Sequence, residues 1–154
     1  MSLSNRNFLL FLIAIVGLMS GSVAAGVGQG VLLDRQQNFK QMGAAQKAIV
    51  DESKKSVPNF ATIAAQADKL KALSQQLPRW FPKGSGSGAG RKTAAKSEIW
   101  SRSADFAASS KKFQSAAVTL SNAARSRDPA RVKLALRAVS GTCRQCHTDF
   151  RTPD

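Results

Sequence analysis

The chain has 154 residues, of which 43% are hydrophobic, with two cysteines, one histidine and no tyrosine. That is one domain's worth of chain, long enough to bury about two-thirds of its unfolded surface and form one core without disulfides. The formal charge of +14 and pI near 10.8 favour anionic partners or an anionic membrane surface. The plainer reading of the same charge is basic residues spread over solvated helix faces. No strand-period alternation of useful length and no internal repeat occurs, which leaves helices to build the fold.

The N-terminus reads as a leader. Arg6 lies in a short polar region, residues 8–19 form an apolar run, and the small residues Val23, Ala24 and Ala25 stand where a signal peptidase cuts. A spanning helix needs about 20 predominantly apolar residues, and this run is shorter, so an uncleaved anchor is the weaker reading. Cleavage after Ala25 assigns residues 1–25 to a signal peptide and residues 26–154 to one exported domain. Nucleic acid is a poor partner for an exported chain.

Helical spacing recurs four times beyond residue 25. In the first segment, about 29–52, Leu32, Phe39, Met42 and Ile49 fall at steps of 7, 3 and 7. The second starts at Asn59, a good N-cap just after Pro58, and carries Phe60, Ile63, Ala67, Leu70 and Leu77 before Pro78 closes it. A loop rich in element-breaking residues spans 79–90. Its glycine-serine half has linker composition, yet neither flank alone could build a core, so one domain is expected. Trp80 and Phe81 at its start are too large to leave in water and should pack inward. The third segment, about 97–124, repeats Ile99, Phe106, Phe113 and Leu120 at an interval of seven, the seam of a bundle helix.

Asp128 and Pro129 open the fourth segment with an N-cap and a proline at the first helical position. Its stripe runs Val132, Leu136, Val139, Cys143, Cys146 and Phe150. Both cysteines and the single histidine of the chain thus fall in one pentapeptide, Cys143 to His147. Cys-x-x-Cys-His is the attachment signature of c-type haem. Two thiols add to the haem vinyl groups as thioethers, and the imidazole takes an axial position on the iron. Residues at i, i+3 and i+4 share one helix face, so both sulfurs and the imidazole can meet one flat macrocycle from the same side. A structural zinc site wants four ligands and finds three. A thioredoxin-like pair belongs beside a βαβ pattern, and a disulfide within one turn leaves His147 unexplained.

Four helices, a long loop between the second and third, and the haem motif near the C-terminal end resemble cytochrome c′, the class II c-type cytochromes. Residues 35–40 look like the family's first-helix motif, Trp80 to Pro82 like its loop aromatics, Glu98 to Trp100 like the start of its third helix, and 141–151 like its terminal helix. The resemblance implies an all-α, antiparallel up-down-up-down four-helix bundle with haem c near the C-terminal helix. It implies His147 as the proximal iron ligand, Arg35 paired with a haem propionate, Phe39 over the distal face, and Arg151 near the proximal side. Low-spin electron-transfer relatives carry a methionine where this chain has Phe39, which offers no lone pair, so the iron is expected to be five-coordinate and high-spin. Met42 is the competitor, three residues on and about 60° around the helix.

An apolar distal pocket without a hydrogen-bond donor favours nitric oxide and carbon monoxide over dioxygen. The resemblance implies a periplasmic, gas-binding haem protein with nitric oxide as its ligand. The second class is a periplasmic electron carrier, whose positive charge would suit an acidic redox partner. Enzymatic peroxide or nitric oxide chemistry lacks the distal acid-base group it would need, so no enzyme is expected. Family members often dimerise through the first two helices, which places a homodimer among the expectations.

Overall fold

The computed structural model describes residues 22–89 and 92–153. Residues 1–21, which carry most of the expected leader, lie outside the described residues. Helix α1 spans Ser22–Glu52, α2 Phe60–Gln76, α3 Glu98–Ser101, α4 Ser103–Arg125 and α5 Pro129–Phe150, with a 3₁₀ turn at Leu77–Trp80 between α2 and α3. No strand occurs among the described residues, and none of their helices is long and apolar enough to cross a membrane.

Local chemistry explains most of the boundaries. The Asn59 side chain accepts from the Thr62 amide at 3.1 Å, and Asp128 accepts from Ala130 and Arg131 at 2.8 and 3.2 Å. Both caps satisfy amides that a helix start otherwise leaves unpaired. Pro78 stops α2 and tightens the chain into the 3₁₀ turn. The third segment departs from the single helix expected over 97–124. It breaks at Arg102, whose φ of −114° and ψ of 48° are not helical. Serines at 97, 101 and 103 compete with helical hydrogen bonding there. The Trp100 indole also donates to the Phe81 and Pro82 carbonyls at 3.1 Å each, fixing α3 against the preceding loop.

Cross-helix contacts set the directions. On α2 and α4, Asp68 meets Ser121 and Ser74 meets Gln114, so one number rises as the other falls. Phe106 near the start of α4 meets Phe150 at the end of α5, and Gln46 on α1 meets Ser140 on α5. The pairings of α2 with α4 and of α4 with α5 are antiparallel. The stripes foreseen on each helix form the core: Leu32, Met42, Ile49, Ile63, Leu70, Ile99, Phe106, Phe113, Leu120, Val132 and Val139 are all buried. Trp80 is buried as expected, and Phe81 packs partly buried against the core. Helix α1 packs on α2, α2 on α4, and α4 on α5, whereas α1 and α5 make little direct contact. That open seam is where the site lies.

Candidate functional site

A cavity of about 540 Å³ opens between α1 and α5, with α2 and α4 behind it. The volume falls in the range of about 300–1,000 Å³ typical of ligand and cofactor pockets. Cys143, Cys146 and His147 lie along its α5 wall, and Phe39 and Met42 along its α1 wall. Arg35 and Arg151 also border it, so the fold brings each candidate haem-site residue to one cavity. A second cavity of about 630 Å³ lies at the other end of the α1–α5 seam, among Val50, Lys54, Phe60, Pro129 and Leu136. It contains none of the motif residues. The bond from Gln46 Nε2 to Ser140 Oγ, 2.9 Å long, crosses the seam between the two.

The cysteines lie on adjacent turns of one helix face, each half-buried, and form no disulfide with each other. Burial pushes both above the ordinary thiol range. For Cys143 the neighbouring Cys146 adds to that rise and Arg144 offsets part of it; for Cys146 the Ser109 hydroxyl offsets part and Asp149 adds. Such thiols are unlike the low-pKa pairs of redox Cys-x-x-Cys sites.

The far end of the cavity is closed by the C-terminal segment. Lys96 donates its amide to the Phe150 carbonyl at 3.0 Å, Thr152 donates to the Ala94 carbonyl at 2.9 Å, and Lys96 Nζ reaches the Thr148 carbonyl at 2.9 Å. Ala95 and Arg151 form an isolated antiparallel bridge. Five aromatic contacts then run from α1 to α5: Phe39 meets Trp80 at 5.3 Å and Phe81 at 6.1 Å, Phe81 meets Trp100 at 6.3 Å and Phe106 at 5.0 Å, and Phe106 meets Phe150 at 5.3 Å. All are edge-to-face, the arrangement ring quadrupoles favour.

Arg35 is 4% exposed, yet no carboxylate lies within ion-pair distance among the described residues. Its guanidinium donates to the Trp80 carbonyl at 3.4 Å, Ser85 Oγ at 3.1 Å, the Ser85 carbonyl at 2.9 Å and Thr93 Oγ1 at 3.0 Å. Its Cζ stands 4.6 Å from the Phe81 ring centroid, and burial lowers its pKa from the ordinary value. A buried cation without a counter-ion fits a cavity made for a group carrying carboxylates. Arg151 and His147 are exposed at the mouth.

Ser85, Thr93 and Ser109 were not legible as site residues. Ser109 is three residues beyond Phe106 on the core-facing side of α4, a placement the heptad reading of the third segment contained. Ser85 stands in a glycine-serine run with no periodicity to mark it.

The fold and this cavity define a four-helix haem protein of the c type. The Cytochrome c′ family profile matches residues 31–151. Cytochrome c′ of Pararhodospirillum photometricum is 38% identical over 117 residues, covering 76% of this chain and 92% of that one. The solved cytochrome c′ of Thermochromatium tepidum superposes with a TM-score of 0.75 at 23% identity, over 82% of this chain and 97% of that one, which is a likeness of fold. A nitric oxide complex of a cytochrome c prime mutant from Alcaligenes xylosoxidans superposes with a TM-score of 0.73 at 28% identity, over 82% and 97%. The chain belongs to the cytochrome c′ family and carries a covalently bound c-type haem.

Proposed function

We propose that this haem protein binds small gaseous ligands, nitric oxide and carbon monoxide, at a five-coordinate iron. When bound, the haem would supply an iron centre able to take a small ligand. Cys143 and Cys146 would hold it through thioethers, His147 would ligate the iron, and Arg35 and Arg151 would meet its carboxylates. The observation that carries the reading is the placement of Phe39 and His147 on facing walls of one cavity. Phe39 has no lone pair, and its ring is braced by Trp80 and Phe81. Of the polar side chains that line the cavity from α1 near Phe39, Gln46 donates to Ser140, and Gln36 and Lys40 are exposed. Discrimination against dioxygen follows. Export to the periplasm with loss of residues 1–25, and a homodimer through α1 and α2, belong to the same reading, as does a role as binder rather than enzyme.

The test is carbon monoxide rebinding to the ferrous protein after flash photolysis. Phe39→Ala should bind faster and more tightly, each 1.4 kcal/mol of relieved obstruction giving about tenfold in affinity. Unchanged association kinetics would place the phenyl ring away from the iron and end the gas-binding argument. A second reading, an electron carrier docking an acidic partner or membrane surface, is favoured by Met42, which is buried in the same wall. Met42→Leu should leave the spectra unchanged; loss of a low-spin, sulfur-ligated spectrum would show that Met42 ligates the iron and would end the five-coordinate reading.

A further inference from the structure

We propose that Arg35 is a positioning residue for the distal gate, acting on Phe39 through the loop it holds. This rests on the reading of Phe39 as that gate. A guanidinium has five N–H donors, and Arg35 spends its two terminal nitrogens on four acceptors in residues 80–93. Those acceptors are 45 to 58 residues away in sequence, so no local rule holds the loop there. Ser85 Oγ also donates to the Pro82 carbonyl at 2.8 Å, and the Trp100 indole of α3 donates to the Phe81 and Pro82 carbonyls at 3.1 Å each. The segment from Trp80 to Ser85 is therefore clamped between α1 and α3.

That clamped segment is the surface on which Phe39 leans. Arg35 and Phe39 are one turn apart on α1, and both touch the Phe81 ring. Trp80, whose carbonyl accepts from Arg35, presents its indole to the Phe39 ring. A ring leaving the distal face must displace Trp80 or Phe81, and either movement works against the arginine fork. Arg35 thus raises the energy of the open gate without touching a ligand. Lysine cannot replace it. An ammonium keeps the charge but is a point donor that cannot span four acceptors set around a planar fork.

The experiment is a double-mutant cycle on the ferrous holoprotein, read by carbon monoxide association after flash photolysis. Arg35→Lys should accelerate association roughly fivefold, the equivalent of about 1 kcal/mol and the usual net worth of a hydrogen bond. In a Phe39→Ala background the same substitution should change the rate by less than about twofold, because the ring it restrains is gone. Hydrogen exchange at residues 83–89 should quicken in Arg35→Lys, and unchanged exchange there would show that the arginine fork does not hold the loop. An equal acceleration in both backgrounds would show that Arg35 acts independently of Phe39, and no acceleration in the Phe39 protein would show that the loop does not brace the ring. Either result overturns the proposal and leaves the gas-binding reading standing if Phe39→Ala alone is faster; if it is not, both fall. Should Arg35→Lys fail to fold, the pair Ser85→Ala and Thr93→Ala removes two of the acceptors with Arg35 in place. It should produce the same background-dependent acceleration at smaller amplitude, and its absence would equally refute the clamp.

Discussion

Phe106→Ala is the substitution that most directly probes how the haem end of the bundle is held. The ring is 7% exposed and lies between Phe81 at 5.0 Å and Phe150 at 5.3 Å, edge-on to both. It joins the long loop to α4 and α4 to the last turn of the haem-bearing helix. Truncating a buried phenylalanine to alanine costs about 3–5 kcal/mol in lost transfer energy and residual cavity. Within that figure each edge-to-face pair contributes about 0.5–1.5 kcal/mol beyond area burial. Phe106→Leu keeps most of the volume and should cost only about 1–3 kcal/mol, from the ring pairs and imperfect fit. Urea denaturation of the holoprotein, followed by near-ultraviolet ellipticity, gives the free energies from the shift in midpoint at constant slope. Combining Phe106→Ala with Phe150→Ala should cost less than the sum of the two by about 0.5–1.5 kcal/mol, because the shared contact is lost only once. A loss below about 1.5 kcal/mol for Phe106→Ala, or strict additivity in the cycle, would mean that the aromatic chain does not bind this end of the bundle together.

Asp68 is held below the ordinary carboxylate range, first by the hydrogen bond from Ser121 and then by Arg125 and Lys71. Its stabilisation is present at neutral pH and is lost as the pH falls below about 4. Asp68→Asn should lower stability at pH 7 by at most about 1 kcal/mol, since Asp68 and Arg125 are 40% and 50% exposed. The gap to the parent should close in acid, and a constant difference across the titration would refute the assignment. Arg127 joins α4 to α5 with a φ of 55°, a left-handed conformation that glycine adopts freely. Arg127→Gly should therefore raise the thermal midpoint, by the equivalent of about 0.5–1 kcal/mol, and a lower midpoint would contradict that. For maturation, the intact mass of the exported protein should equal the chain from Gly26 plus one haem that acid-acetone does not extract. A full-length mass would refute cleavage, and extractable haem would refute attachment.

The sequence alone was enough for most of the helices and for the motif that lines one wall of the cavity. Helical period, the caps at Asn59 and Asp128, the stop at Pro78 and the pentapeptide from Cys143 to His147 are all decided within a few residues. Local rules of hydrogen bonding and side-chain spacing act over that range. The heptad from Ile99 to Leu120 was equally plain, although the break at Arg102 was not. It depends on the Trp100 indole reaching carbonyls 18 and 19 residues back in the loop, and no periodicity encodes that. What the sequence could not give by itself is the partnership across the seam. A lone arginine in a chain with 23 basic residues reads as solvated surface charge unless a family motif marks it. Only the folded chain buries Arg35 and carries it to Ser85 and Thr93, 50 and 58 residues away. The same packing leaves α1 and α5 apart, so that Phe39 and His147 come to border one cavity. Contacts of that kind follow from how stripes on four helices satisfy one another at once, which is a property of the whole core and of no single segment.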